Sequence, residues 1–308
     1  MDNTNASKRY AAAVDIGGTS TRVALFDEDY NLISRNQFAT LSEDPAENCR
    51  LIAEQINAFD VPVVGVGISC PGILDTENGW MNLASNFGDA WIHFPLAKTI
   101  TDHTGAPAWI ANDANLAALA EAVVGEGKDK KIVQFLTIST GIGGGMIVNK
   151  EIFEGAHGCC NEISNIVLNK DGDVQGGLLP GAVEAIASGT AITRKAKEAG
   201  LDVAHAGEVN DLAVAGNETA AKIMDEAKEA LARMLSILIA VSDPDIFILG
   251  GSVAMKIDGY VEDVQERTRA LVYPVLQPTV DVRRSTLNED SGLIGAAALA
   301  FTKTERAE

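Results

Sequence analysis

The residue types that could do chemistry in this sequence gather at a few strand-to-turn junctions. The sharpest is Ile110-Ala111-Asn112-Asp113-Ala114-Asn115. An apolar run from Ala106 to Ile110 reads as a short strand, and an alanine- and leucine-rich helix begins directly after Asn112-Asp113. A carboxylate at such a junction projects from a rigid backbone, which suits a general base. Asp is also a preferred helix N-cap. The stretch by itself leaves Asp113 balanced between base and cap.

Glycine-bearing turns supply the second chemistry. Tyr10 to Ile16 reads as a strand that ends in Asp15-Ile16-Gly17-Gly18-Thr19, and the apolar run Val23 to Phe26 follows as its hairpin partner. The pattern recurs: strand Ile132 to Ile138, then Ser139-Thr140-Gly141-Ile142-Gly143-Gly144-Gly145, then Met146 to Val148. This is an approximate internal duplication. Two such loops, rich in backbone N–H and hydroxyl donors, suit a polyphosphate, although neither has Walker or Rossmann spacing. A third junction, Ile246 to Leu249 followed by Gly250-Gly251-Ser252, would let a flat ring approach the backbone. Glu184 falls in the first turn of an expected helix, Val183 to Lys197, where the helix dipole favours a carboxylate. His157, Cys159 and Cys160 lie close in sequence but match no zinc spacing.

The elements that must position these residues alternate between strand and helix. Asp44-Pro45-Ala46-Glu47 is a helix start. Val61 to Ile68 reads as a strand that runs into Ser69-Cys70-Pro71-Gly72, and Asp75 to Asn86 reads as loop. A helix begins at Pro95 and ends near Gly105. The helix after Asp113 carries Leu116, Leu119, Ala120, Val123 and Val124 on one face and closes at Gly125. Residues 155–180 read as irregular and 202–210 as a polar connection. Glu218 to Val241 is a long amphipathic helix, Tyr260 to Val272 another, Thr279 to Arg283 a short strand, and Gly292 to Phe301 a small-residue helix.

Composition narrows the function classes. A chain of 308 residues with 46% hydrophobic content and 29 glycines suits a packed α/β protein of two domains or one large one. The net charge of −19 speaks against nucleic acid or an acidic membrane as a partner. It does not speak against ATP, whose phosphates are held locally by backbone donors and Mg²⁺. The four cysteines read as small buried residues of a reducing cytoplasm. Residues 1–9 have no apolar core of signal-peptide length, and no run approaches the ~18 apolar residues of a membrane span. The expected location is cytoplasmic.

Taken in order, these motifs resemble the ROK family of sugar kinases and repressors within the actin-like ATPase superfamily. The resemblance runs from about Ala11 to Thr302 and rests on Asp15-to-Thr19, Pro71-Gly72, Asn112-Asp113, Thr140-to-Gly145, Gly155-to-Glu162, Gly250-Gly251 and Gly292-Leu293-Ile294-Gly295-Ala296-Ala297. It implies an α/β chain of two ribonuclease-H-like domains around a central cleft, residues 1–114 with 291–308 and residues 115–290. It implies ATP and Mg²⁺ bound by Asp15, Gly17, Gly18, Thr19, Thr140, Gly141, Gly143, Gly144, Gly250 and Gly251, with Asp15 placing the metal through water. The implied sugar site comprises Gly72, Ser85, Asn86, Asn112, Asp113, Gly141, Glu162, Asn165 and Glu184. Asp113 matches the catalytic base for attack on the γ-phosphate by a sugar hydroxyl, usually O6. The family is usually homodimeric.

One departure stands out. Zinc-binding members carry Gly-Glu-x-Gly-His and then three cysteines. Here the run is Asn161-Glu162-Ile163-Ser164-Asn165, and the cysteine positions hold Gln175, Gly177 and Ala182. No zinc site is expected, and Asn165 stands where the family His would touch the sugar. The expected function is an ATP-dependent kinase for glucose or a related hexose or N-acetylhexosamine. A sugar-binding protein that has lost catalysis is the alternative motivated by Asn165. A ROK-type regulator is disfavoured, because only 14 residues precede Asp15 and the charge opposes DNA binding.

Overall fold

The structure is a computed structural model that describes residues 8–83, 87–287 and 290–307. In the first half the elements run β1 (Tyr10–Ile16), β2 (Ser20–Asp27), β3 (Leu32–Ala39), α1 (Pro45–Asn57), β4 (Val66–Cys70), β5 (Ile73–Asp75), β6 (Trp80–Leu83), α2 (Leu96–Thr104), β7 (Ala108–Asn112) and α3 (Asp113–Val123). They continue with β8 (Ile132–Ile138), β9 (Ile142–Val148), β10 (Glu151–Ile152), α4 (Val183–Ala187), α5 (Gly189–Glu198), α6 (Ala206–Val214) and α7 (Glu218–Ser242). The chain closes with β11 (Ile246–Gly250), α8 (Gly251–Lys256), α9 (Tyr260–Leu271), β12 (Val282–Arg284) and α10 (Ser291–Ala307).

The duplication read from the two hairpins extends to whole sheets. The first sheet has the order β3-β2-β1-β4-β7 and the second β10-β9-β8-β11-β12. In each, the three-stranded meander is antiparallel and the last two strands add in parallel. That is the ribonuclease-H-like arrangement, twice. The chain forms two compact units, residues 1–124 with 155–159 and 287–308, and residues 125–154 with 160–286. Helix α3 packs on α10 and stays in the first unit, so the division falls after it, whereas the expected boundary at 114/115 runs through the start of that helix.

In the first unit β1 alternates as a two-sided strand should. Ala12, Val14 and Ile16 enter the core that also holds Ile52, Ile56, Trp91, Leu96 and Ile100. The opposite face receives α10, which packs on β1 and β4. Contact there is backbone to backbone: a Cβ on Gly67 would lie 1.8 Å from the Ala296 carbonyl oxygen; α10 approaches α3 as closely, a Cβ on Gly295 lying 2.0 Å from the Leu116 carbonyl oxygen. The second unit buries Leu136, Ile138, Phe247 and Leu249 of its sheet against α4, α5 and α7.

Several elements depart from expectation. Residues 73–83 form the β5–β6 hairpin rather than loop. The valine-rich strand starts at Val66, not Val61, and β3 gave no apolar signal because most of it is exposed. The helix expected over 183–197 breaks at Ser188, whose extended backbone and hydroxyl, accepting from the Ala191 N–H at 3.1 Å, start a new helix. The polar stretch 202–210 contains the start of α6, capped by His205. Helix α3 is capped at its C-terminus by Val124 rather than Gly125. No helix among the described residues is long and apolar enough to cross a membrane.

Candidate functional site

Parallel strands of an α/β sheet present ligand-binding groups at their carboxyl ends. In the first unit β1, β4 and β7 are the parallel set, and every described candidate residue of that unit sits at or just beyond their carboxyl ends: Asp15 to Thr19, Gly72, and Asn112-Asp113. Ser85 and Asn86 lie outside the described residues.

The β1–β2 turn is closed by the Gly17 N–H donating to the Ser20 carbonyl at 3.0 Å. It is braced from outside by Thr40, whose hydroxyl donates to the Gly17 carbonyl at 2.7 Å and whose N–H donates to the Thr19 carbonyl at 3.1 Å. Gly18 and Thr19 are left exposed at the tip. Asp15 pairs across the hairpin with Arg22, a residue that sequence reasoning passed over. The signal was available: counting back from a turn over residues 17–20 puts Asp15 opposite Arg22.

At the end of β7 the structure separates the two roles weighed for Asp113. The N-cap is Asn112, with φ −65° and ψ 146°, and its Oδ1 accepts from the Ala114 N–H at 2.9 Å. Asn112 Nδ2 donates to the Gly72 carbonyl at 3.1 Å, and Gly72 has φ +90°, so one side chain ties the helix start to the β4 turn. Asp113 is the first helical residue, and its Oδ1 accepts the same Ala114 N–H at 2.8 Å. The residue is exposed to solvent by its surface area, while protein atoms of the β7 and β4 ends crowd around its carboxyl group. Desolvation there, with the nearby Asp15 charge adding to it, raises its pKa above the ordinary 3.8, against the lowering effect of the Ala114 hydrogen bond. A rigid carboxylate with raised proton affinity is what a general base requires.

In the second unit the turn after β8 is Ser139-Thr140-Gly141 alone. Gly143 and Gly144 lie within β9, and Gly144 is buried, where a Cβ would meet the Ile163 side chain at 2.7 Å. Gly144 therefore serves packing, and the exposed part of the expected glycine loop is shorter than the sequence suggested. Glu184 does more than sit at a helix start: its Oε2 accepts the Ile142 N–H at 2.7 Å, and it lies so close to Gly141 that a Cβ there would be 2.6 Å from that oxygen. Glu162 is exposed just before a short 3₁₀ turn, residues 163–165. Asn165 Oδ1 accepts from the Leu179 N–H at 3.3 Å.

Gly250 ends β11 and Gly251 begins α8 with φ +81°, packed so that a Cβ would meet the Ile138 carbonyl oxygen at 2.4 Å. Beside this junction a cavity of about 830 Å³ opens within the second unit, lined by Ser139, Thr140, Thr193, Lys197, His205 and Lys256 among others. Its size is that of a small-molecule site. The α5 and α6 residues in its wall carried no recognisable motif and were missed. Among the described residues, no group of three or more His, Cys, Asp or Glu side chains converges as a metal site would need.

Comparison with known proteins follows the same outline. The ROK family profile matches residues 11–303. The glucokinase of Thermotoga maritima is 32% identical over 305 residues, covering 93% of this chain and 95% of the relative. The N-acetylmannosamine kinase of Citrobacter koseri is 33% identical over 300 residues, covering 94% and 97%. The crystal structure of the ROK hexokinase from Thermus thermophilus superposes with a TM-score of 0.87 at 30% identity, covering 96% of this chain and 99% of that one. With its duplicated sheets, its paired strand-end turns and a match spanning nearly all its length, this chain belongs to the ROK family.

Proposed function

We propose that the protein is an ATP-dependent sugar kinase that transfers the γ-phosphate of ATP to a hexose or N-acetylhexosamine hydroxyl, most simply O6. The observation that carries this is Asp113: a carboxylate of raised proton affinity, fixed at the head of α3 and the carboxyl end of β7. Asp113 would take the proton from the sugar hydroxyl as that oxygen attacks in line. Asn112, Gly72, Glu162, Asn165 and Glu184 would orient the sugar by hydrogen bonds. Gly17, Gly18, Thr19, Thr140 and Gly141 would offer donors to the phosphates, and the cavity beside Gly250-Gly251 would take the nucleoside. Mg²⁺ binds through one or two carboxylates together with substrate phosphates and retained waters. Asp15, one carboxylate beside an exposed glycine turn, fits that demand, and the metal would supply charge neutralisation on the transferring group.

The relatives at 32% and 33% identity are named for glucose and N-acetylmannosamine, so both sugars belong among the candidates. No structural zinc, a homodimer and a cytoplasmic location complete the reading. A coupled ADP-release assay over glucose, mannose, fructose, allose, N-acetylglucosamine and N-acetylmannosamine tests it. Sugar-dependent ADP release is expected. Sugar binding without turnover would favour a sugar-binding protein that has lost catalysis, and neither binding nor turnover would remove the kinase reading.

A further inference from the structure

Asp15 does not stand alone at the end of β1. It is the direct cross-strand partner of Arg22, and both Nε at 3.0 Å and Nη2 at 2.6 Å donate to the same oxygen, Oδ2. The guanidinium is anchored on its other side: Nη1 lies 3.8 Å from Asp290 Oδ1, and Asp290 in turn accepts from Arg35 Nη1 at 2.5 Å. Arg22, Asp15 and Asp290 side chains are only 22%, 20% and 20% exposed. Exposed ion pairs are weak because two flexible side chains must be held in one geometry. Here a sheet register sets the pair, a second carboxylate braces it, and the planar guanidinium is pre-organised. Among the described residues no donor reaches Asp15 Oδ1, and an ionised carboxylate has acceptor capacity on both oxygens.

We propose that Arg22 is a positioning residue for nucleotide binding. It grips Asp15 by Oδ2 so that Oδ1 is presented to a water of the nucleotide's magnesium, and its charge offsets the Asp15 and Asp290 carboxylates that would otherwise repel the polyphosphate. The inference rests on the reading of Asp15 as the residue that places magnesium. It separates two contributions. The charge acts on ATP with or without metal, whereas the two-donor grip acts on the magnesium complex alone.

Isothermal titration of the purified chain with ATP in EDTA, with MgATP, and with the sugar that supports turnover tests this directly. Arg22→Ala is expected to weaken MgATP about tenfold or more, a loss of about 1.4 kcal/mol, and to weaken metal-free ATP less, while sugar affinity stays within about twofold. Arg22→Lys is expected to restore metal-free ATP binding but to recover MgATP only in part, because a point charge cannot reproduce the two donors. Arg22→Gln is expected to follow Ala. Unchanged MgATP affinity in Arg22→Ala would overturn the proposal. So would a fall in sugar and nucleotide affinity together, or in melting temperature alone, since either marks a structural pair. If Arg22→Ala does not fold, the Lys and Gln variants decide by the same measurements. Failure of the unmutated protein to bind MgATP is a distinct result that removes the kinase reading and this inference with it.

Discussion

Asn112 and Asp113 share one backbone donor: the Ala114 N–H lies 2.9 Å from Asn112 Oδ1 and 2.8 Å from Asp113 Oδ1. The shared amide means that the helix start does not depend on Asp113. Capping falls to the asparagine, and the aspartate is held by the same amide without being needed for it.

Asp113→Asn keeps an amide oxygen that can still accept from Ala114, so the helix start should persist. Only the basic lone pair is lost. We expect kcat/KM to fall about 10²–10⁴-fold with the melting temperature essentially unchanged, since Asn112 holds the cap and position 113 is exposed to solvent. Substantial residual turnover would remove Asp113 as the base.

The pH dependence follows from the same environment. Asp113 works deprotonated, and desolvation, then the Asp15 charge, raises its pKa above 3.8. The acidic limb of kcat/KM should therefore lie above that value, with activity lost as pH falls through it. The linked stability has the opposite sign: protonated Asp113 suits the fold, and that contribution declines as pH rises from the unfolded pKa through the folded one. A pH–rate profile whose acidic limb sits at or below the ordinary carboxylate value would contradict the site's electrostatics.

Asn112→Ala removes the cap and the tether to the Gly72 carbonyl together. A lost cap costs about 1 kcal/mol, so a modest drop in melting temperature is expected. The more telling effect should be a raised KM for sugar with little change in KM for ATP, because the freed groups lie at the β4 and β7 ends and not at the β1–β2 turn. Equal effects on both substrates would argue against a sugar contact there.

Two glycines make a controlled contrast. A Cβ on Gly67 meets backbone, the Ala296 carbonyl oxygen at 1.8 Å, and neither β4 nor α10 can yield cheaply. A Cβ on Gly141 meets the far end of a side chain, Glu184 Oε2 at 2.6 Å. Gly67→Ala should be severely destabilising, at the upper end of the about 1–3 kcal/mol typical of overpacking or beyond. Gly141→Ala should keep the fold but displace the Glu184 carboxylate and lower kcat/KM. Chemical denaturation and steady-state kinetics on both variants distinguish these outcomes, and a fully active Gly141→Ala would detach Glu184 from the site.

The legible parts of this chain were those set by local pattern. Strands β1 and β8 match the apolar runs residue for residue, and α1 begins at its Asp44-Pro45 signal. What escaped was decided by tertiary context. Strand β3 is a mostly exposed edge strand whose large apolar residues, Leu32, Ile33 and Phe38, do not alternate, so periodicity could not reveal it. The α4–α5 break depends on Ser188, fully buried and bonded to Gln175, which no helical period encodes. Gly143 and Gly144 read as loop because glycines mark turns, yet they lie in β9, where Gly144 makes room for Ile163. Arg22 was missed because it belongs to no motif, and only the hairpin register brings it to Asp15.

Asn165 is where specificity should be sought. Its Oδ1 accepts from the Leu179 N–H at 3.3 Å, and Gln175 Nε2 donates to the Ser188 hydroxyl at 3.3 Å, so two positions where the family resemblance would put zinc ligands make hydrogen bonds here. Ala182 is fully buried and offers no ligand atom. Metal analysis of purified protein should find well under one zinc per chain. Asn165→His cannot supply the missing thiolates, so it should not recruit zinc. It places a longer side chain, able to carry charge, at an exposed position three residues from Glu162, and it releases the Leu179 amide. We therefore expect the ratio of kcat/KM between glucose and N-acetylmannosamine to change severalfold while KM for ATP stays within about twofold of the parent, a sugar contact being worth about 1 kcal/mol. A shift in ATP affinity with the sugar ratio unchanged would move Asn165 out of the sugar site, and stoichiometric zinc in the parent protein would overturn the reading of positions 165, 175, 177 and 182.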